Sequence, residues 1–318
     1  MLVIVAPGQG AQSPGFLSPW LELDGVADRL RGWSEVAGLD LVHAGTEASA
    51  EEIRDTAVAQ PLLVAAGLVT ARELFPNEDL VKLVGAVAGH SVGEITAAAA
   101  AGVLSAQDAL TFVSERGRAM AEAAAVTETG MIAVLGGEPD VVAAKLAEHG
   151  LTAANNNGGG QIVAAGTLVQ LEALRADPPV GAKLVALKVA GAFHTEHMAP
   201  GVERLAKLAP TLTVADPQVR YVSNKDGEVV DSGAEVLKRL VSQVSTPVRW
   251  DLCVETLGRL GATAVIELSP AGTLTGLLKR NLKGVATLAL KTPADLDKAR
   301  ELIAEHGGQD RQDQEDQA

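Results

Sequence analysis

The sequence predicts an α/β protein in two parts, a large subdomain interrupted by a smaller, ferredoxin-like one. Two observations carry this reading. Short apolar runs alternate with longer segments of helical period along most of the chain, the pattern of strands covered by helices. Between residues 131 and 189 the order becomes β-α-β-β-α-β, the split unit of ferredoxin-like folds.

The elements follow in order. Residues 2–7 read as a buried strand ending in the loop Gly8-Gln9-Gly10. Residues 60–74 space Leu, Val and Ala as a helix does and stop at Phe75-Pro76-Asn77. A second buried strand is predicted at 83–88, then Gly89-His90-Ser91-Val92-Gly93-Glu94, an alanine-rich helix at 95–101 and another helix at 106–124. Within the insert the predicted strands are 131–135, 151–154, 161–165 and 183–189, with helices at 138–149 and 168–175 and a turn at 155–160. The large subdomain resumes with strand 218–223, helices 234–243 and 250–260, strand 264–268, the loop Ser269-Pro270-Ala271-Gly272 and helix 273–280. The expected boundaries are 1–126 plus 190–304 for the large subdomain and 127–189 for the insert. Residues 305–318 hold five acids, one arginine and almost nothing apolar, so a disordered acidic tail is expected.

Composition removes several functions. The 318 residues carry a net charge of −14 with 3% aromatics, which supplies neither the positive field nor the stacking surface that nucleic acids require. One cysteine, Cys253, excludes an internal disulfide and a Cys-based zinc site, and it reads as a small buried apolar residue. No basic stretch precedes the first strand, unlike a signal peptide. The apolar stretch from Val84 to Leu104 is interrupted by His90, Ser91 and Glu94, which a membrane helix would not carry at its middle. A soluble, cytoplasmic protein is expected.

Gly89-His90-Ser91-Val92-Gly93 lies between a predicted strand and a predicted helix. This is the nucleophile-elbow pattern Gly-x-Ser-x-Gly. Its turn lifts the serine hydroxyl above the sheet and tolerates little side chain on either flank. The helix that follows aims free N–H groups at a developing oxyanion, with the Val92 N–H as the natural donor. A serine needs a base, and six histidines are available. His43, His149 and His306 fall in loops, helix ends or the tail, and His90 points away from Ser91 inside the elbow. His194, in Gly191-Ala192-Phe193-His194, sits where the chain re-enters the large subdomain and is the candidate base. His197 would suggest a metal pair, but no ligand cluster surrounds it, so a surface or supporting role is the simpler reading. Gly8-Gln9-Gly10 resembles a truncated dinucleotide loop, yet Ser13 replaces the third glycine and no acidic residue closes a second strand. The alternative is a loop that brings the Gln9 backbone or side chain over Ser91 as a second oxyanion donor. Arg116, on the helix after the elbow helix, can hold a carboxylate through two parallel hydrogen bonds. Its competing reading is a solvated ion pair with Glu115 or Glu122.

Five separated motifs, Gly8-Gln9-Gly10-Ala11-Gln12, Gly89-His90-Ser91-Val92-Gly93-Glu94, Arg116-Gly117-Arg118-Ala119-Met120, Gly191-Ala192-Phe193-His194 and Pro247-Val248-Arg249-Trp250, together resemble the malonyl-CoA:acyl carrier protein transacylases. These are the acyltransferases of fatty acid and polyketide synthesis. The resemblance spans Leu2 to about Ala304. It implies a hydrolase-like core with a central, mostly parallel sheet and a ferredoxin-like insert. It further implies Ser91 as nucleophile and His194 as base, the latter oriented by the main-chain carbonyl of Gln243. The N–H groups of Gln9 and Val92 would be the oxyanion donors, and Arg116 the partner of the malonyl carboxylate. Met120 would line the substrate site, and Asn155 or Asn156 its entrance. Phe193 matches the malonyl-selective pattern, in which a large residue before the histidine leaves little room for an α-methyl group. The implied partners are malonyl-CoA and an acyl carrier protein, met by a monomer without nucleic acid, membrane, metal or redox cofactor. Carrier proteins are usually acidic, so Lys183, Lys188, Lys279, Arg280 and Lys283 are candidates for their docking. A serine esterase or thioesterase, or a non-catalytic acyl-binding protein, is the alternative.

Overall fold

The predicted strands assemble into two sheets. The computed structural model describes residues 1–77 and 79–308. The chain begins with β1 (Leu2–Ala6), α1 (Val26–Ala37), α2 (Leu41–Thr46), α3 (Thr56–Leu74), α4 (Leu80–Leu83), β2 (Ala86–Gly89), α5 (Gly93–Ala100) and α6 (Ala106–Ala124). It continues through β3 (Thr129–Gly136), α7 (Pro139–Glu148), β4 (Thr152–Asn156), β5 (Gln161–Thr167), α8 (Leu168–Ala176) and β6 (Ala182–Ala186). It closes with α9 (Ala199–Leu208), β7 (Arg220–Val222), β8 (Val229–Val230), α10 (Gly233–Gln243), β9 (Val248–Arg249), α11 (Trp250–Arg259), β10 (Ala264–Glu267), α12 (Thr273–Asn281), β11 (Ala286–Ala289) and α13 (Leu296–His306).

The larger sheet has the order β11-β10-β1-β2-β7-β8 and is parallel except for the β7–β8 pair. Its strands are continuous apolar runs because both faces are covered. Alternation along β1 sends Leu2 and Ile4 into the core shared with α1, α3, α5 and α6, and Val3 and Val5 into the core shared with α11 and α12. The helix α3 is apolar and long enough to cross a bilayer, but two-thirds of it is buried inside the protein as a core helix. Pairing of Ala6 with Gly89 puts the carboxyl ends of β1 and β2 side by side. The Gly8-Gln9-Gly10 loop and the Ser91 elbow therefore meet at the edge where ligands bind in open α/β sheets.

The smaller sheet has the order β6-β3-β5-β4-β9. The first four strands come from the insert, pair antiparallel and bury Ile132, Val134, Val142 and Leu146 in a core of their own. The strand β9, which follows α10 of the large subdomain, pairs parallel to β4 and stitches the two parts together.

Several predicted bounds need correction. The strand predicted at 83–88 forms at Ala86–Gly89 instead, Leu83 closing the short helix α4. The predicted turn 155–160 begins later, because Asn155 and Asn156 belong to β4, where a bulge shifts the register between Ala153 and Asn155. The strand predicted at 183–189 stops at Ala186. Glu305 and His306, assigned to the tail, end α13; residues 309–318 lie outside the described residues. Helices α1, α2, α9 and α13 and the edge strand β11 had no counterpart in the sequence reading.

Candidate active site

The elbow forms because its glycines allow a near-collision. A Cβ on Gly89 would fall 2.0 Å from the Gly93 carbonyl carbon, and one on Gly93 would fall 2.2 Å from the Ala6 carbonyl oxygen. Ser91 is thereby forced to a left-handed φ of 53°, at a cost of about 1–2 kcal/mol for a residue with a side chain. Among the described residues His194, with φ 62°, is the one other non-glycine in that region. Both strained residues are pinned by their neighbours. The Asn224 side chain accepts from the Ser91 N–H at 2.8 Å and donates to the Gly89 carbonyl at 2.7 Å, clamping the turn on both sides. The His194 N–H donates to the Val244 carbonyl at 3.0 Å.

Ser91 Oγ lies 2.7 Å from His194 Nε2, and His194 Nδ1 lies 2.8 Å from the main-chain carbonyl of Gln243. A carbonyl only accepts, so Nδ1 carries the proton and Nε2 is left free to accept the serine proton. Burial and the neighbouring Arg116 cation push the His194 imidazole down to about 3, against the pull of the Gln243 carbonyl. The imidazole is therefore neutral, and usable as a base, at any ordinary pH.

Arg116 is buried (1% exposed). Its Nη2 donates to Ser91 Oγ at 3.2 Å and to Gln243 Oε1 at 2.7 Å, and its Nη1 donates to Gln60 Oε1 at 2.6 Å. These partners are neutral, and Nε has no partner among the described residues. Burial lowers the guanidinium to about 9, which leaves it charged at neutral pH. The site thus holds a cation next to the nucleophile with donor capacity to spare, the requirement for binding a carboxylate. The competing ion pair does not form: Glu115 and Glu122 pair with Arg204 instead.

A cavity of about 320 Å³ opens over Gln60, Ser91 and His194, with Arg116 and Gln243 standing behind its wall. Ser91, His194, Val92, Gln9, Met120 and Phe193 all line it, as does Asn155. The N–H groups of Gln9 and Val92 have no acceptor among the described residues, and two unpaired N–H groups on residues that line one cavity with Ser91 suit an oxyanion. The Gln9 side chain is engaged elsewhere, reaching the Arg54 carbonyl at 3.3 Å, so only its backbone is available. Asn156 requires correction. Its amide donates to Asp251 at 2.9 Å, away from the cavity, because strand alternation sends it to the face opposite Asn155. Asn157 lines the cavity instead and bonds His90 Nε2 at 2.8 Å. His90 also lines the cavity, its ring tilted against Trp250.

The sequence reading missed Gln60, Asn224 and the Glu94 side chain. Gln60 is a polar residue within the apolar run of α3, Asn224 follows the end of β7, and Glu94 is an acid in an alanine-rich helix. Each is 1% exposed or less, and an isolated polar residue in an apolar run is the available signal.

The comparisons with known proteins agree with one another. The acyl transferase domain family matches residues 3–306. The chain is 52% identical over 302 residues to the malonyl CoA-acyl carrier protein transacylase of Mycobacterium tuberculosis, covering 95% of this chain and 100% of that protein. It is 33% identical to the enzyme of the same name from Escherichia coli, covering 94% and 98%. The crystal structure of the Mycobacterium tuberculosis protein superposes with a TM-score of 0.91, covering 94% of this chain and 99% of that one. A malonyl-transacylase solved in complex with a type II polyketide-synthase acyl-carrier protein superposes at 0.87 with 30% identity, covering 94% and 99%.

Proposed function

The chain belongs to the acyl transferase domain family, and from that premise we propose how its cavity transfers an acyl group. The protein moves a malonyl group from malonyl-CoA to the phosphopantetheine thiol of an acyl carrier protein. His194 Nε2 takes the Ser91 proton as Oγ attacks the thioester carbonyl, and the Val92 and Gln9 N–H groups hold the oxyanion. The C–S bond breaks, and the coenzyme A sulfur leaves with the proton from His194. A malonyl-serine ester remains. The carrier thiol then gives its proton to His194, attacks the ester and takes the malonyl group, and the proton returns to Ser91. Each proton taken up by His194 is given back within the cycle.

The observation that carries this reading is the guanidinium of Arg116, its Nη2 3.2 Å from Ser91 Oγ and its Nε without a partner among the described residues. It binds the free carboxylate of the malonyl group and so places the thioester carbonyl against Ser91. Phe193, buried on the cavity wall, closes the space an α-methyl group would need. The exposed cations Lys279 and Arg280 on α12, Lys283 after it, and Lys183 and Lys188 near β6 offer an acidic carrier a local positive surface. Encounter with the carrier therefore weakens as salt rises. One chain supplies every group in this cycle, and we read it as acting as a monomer. Intact-protein mass spectrometry tests the mechanism: malonyl-CoA adds one malonyl group to the wild type and none to Ser91→Ala. An adduct that survives the substitution rules out Ser91.

A further inference from the structure

Glu94 is a buried carboxylate that the transfer mechanism does not use. It stands in the first turn of α5 directly behind the elbow and is 1% exposed. Its Oε1 accepts from the Tyr221 hydroxyl at 3.0 Å and from the Asn224 N–H at 2.8 Å. Its Oε2 accepts a short hydrogen bond from Gln243 Nε2. The second hydrogen of that amide goes to the Ser91 carbonyl at 3.0 Å, and the amide oxygen receives Arg116 Nη2 at 2.7 Å.

This arrangement leaves the Gln243 amide one orientation. An ionised carboxylate only accepts, so it must face the amide nitrogen, and the oxygen must then face the guanidinium. Glu94 and Arg116 are two buried opposite charges held apart by one aligned amide. We propose that Glu94 is a positioning residue that orients Gln243 and, through it, sets the Arg116 guanidinium for the malonyl carboxylate. The inference rests on the malonyl-transfer reading above.

The geometry predicts a loss that falls more heavily on the carboxylate-bearing substrate. Replacing Glu94 by Gln places an N–H₂ group opposite Gln243 Nε2. The Gln243 amide must then either face a donor with a donor or turn over and present its N–H₂ to Arg116. The first repels the amide from its place beside the guanidinium, and the second removes the guanidinium's acceptor; turning over also sets the amide oxygen against the Ser91 carbonyl, a cost that both acyl groups share. A narrow cleft of about 10 Å³ reaches Glu94 and Gln243 from the side away from the cavity, between Lys225, Arg239, Ser242 and Thr246. That is room for about one water, so Glu94 can exchange its proton while the substrate cavity is filled.

Burial raises the Glu94 carboxyl to about 7, against the hydrogen bonds from Asn224, Tyr221 and Gln243 and the charge of Arg116. The other titratable or charged groups facing it are Arg116 on α6, Tyr221 on β7 and Cys253 on α11, with Lys225 after β7 and Arg239 on α10 across the cleft, the latter paired with Asp226 and Glu235. Tyr221 and Cys253 are raised by burial and by Glu94 itself, Arg116 stays charged and Arg239, despite partial burial, is raised by its carboxylate partners, so none of these four changes state near neutrality. Below about 7 Glu94 gains a proton and loses an acceptor site, and the amide loses its fixed orientation.

The experiment measures the rate at which Ser91 is acylated by malonyl-CoA and by acetyl-CoA, without carrier protein, from about pH 8 to about pH 6. The ratio of the two rates cancels contributions common to both, His194 included. In the wild type the malonyl:acetyl ratio is expected to fall as pH drops through about 7. In Glu94→Gln it is expected to be lower by about tenfold or more at every pH, with the step gone. Equal losses for both acyl groups, or a step that persists in the variant, overturns the proposal. Should Glu94→Gln fail to fold, the wild-type titration decides alone, and a flat ratio overturns it. A wild type that takes up no malonyl group on Ser91 fails the functional reading instead, a distinct result.

Discussion

The two sides of the cavity are built on opposite principles. Beneath Ser91 the large subdomain places Arg116, Gln243, Glu94 and Asn224 in one buried hydrogen-bonded network, in which only Arg116 Nε lacks a partner among these four. Facing it, the insert contributes Met131, Ala133 and Val163, with Leu187 and Val189 from the segment just after β6. Its buried polar contributions are Asn155, whose Oδ1 has no partner among the described residues, and Asn157, which bonds His90. A satisfied polar network is rigid, because moving any member strands the others without partners. An apolar wall grips by shape and tolerates variation in what it contacts. The difference teaches that the large subdomain supplies the polar network around Ser91, while the insert supplies most of the apolar wall opposite.

Substitutions on the two sides should separate accordingly. The largest effect is expected at the nucleophile and base: Ser91→Ala abolishes the covalent adduct, and His194→Ala slows acylation by all acyl-CoA substrates alike. Stopped-flow acylation checks the second. A selective loss for malonyl-CoA in His194→Ala would place His194 in recognition instead.

Next comes Arg116→Ala, expected to cost malonyl transfer about a hundredfold, or roughly 2–3 kcal/mol, beyond its effect on acetyl transfer. Similar losses for both would remove the carboxylate clamp. A third contrast concerns pH. Because burial and Arg116 push His194 down to about 3, its neutral, basic form persists well below the ordinary imidazole range. Acetyl-CoA acylation should therefore show no fall between about pH 8 and about pH 5. A drop centred near the usual histidine value would contradict the buried geometry.

The smaller effects belong to the cavity walls. Phe193→Ser, which opens space beside His194, should raise methylmalonyl acylation relative to malonyl several-fold, at a cost of about 1–3 kcal/mol of discrimination per methyl-sized gap. Asn155→Ala should shift the apparent affinity for both acyl-CoA substrates by about 1 kcal/mol and leave the malonyl:acetyl ratio alone. A changed ratio would break the division between the two walls.

The elbow and the insert were legible in sequence because their signatures are local, whereas the transacylase reading came from the resemblance of five separated motifs. Gly-x-Ser-x-Gly between a strand and a helix carries its own steric logic, and the β-α-β-β-α-β order lies within one short segment. Helix α6 was read with its bounds intact at Ala106–Ala124, since Ser105 supplies a cap and the helical period is regular. Elements with weaker local signals were not read: the edge strand β11 is only half-buried along its length, so its four residues lack the continuous apolar run of an interior strand. Asn155 and Asn156 were read as one turn, and only the β4 pleat and its bulge separate the residue in the cavity from the one turned away.

By itself, then, the sequence determined the two-part architecture and the family, and singled out Ser91 as the candidate nucleophile. The tertiary structure alone decided which polar side chains stand behind that nucleophile. Gln243 reaches Glu94 across 149 positions and the Ser91 carbonyl across 152, and Asn224 reaches the Ser91 N–H across 133. No periodicity or motif spans such separations. These contacts exist because parallel strand order places β2 beside β7 and delivers the end of α10 against the elbow. Once water is excluded there, each buried donor and acceptor must find its partner from whatever part of the chain the fold has brought near.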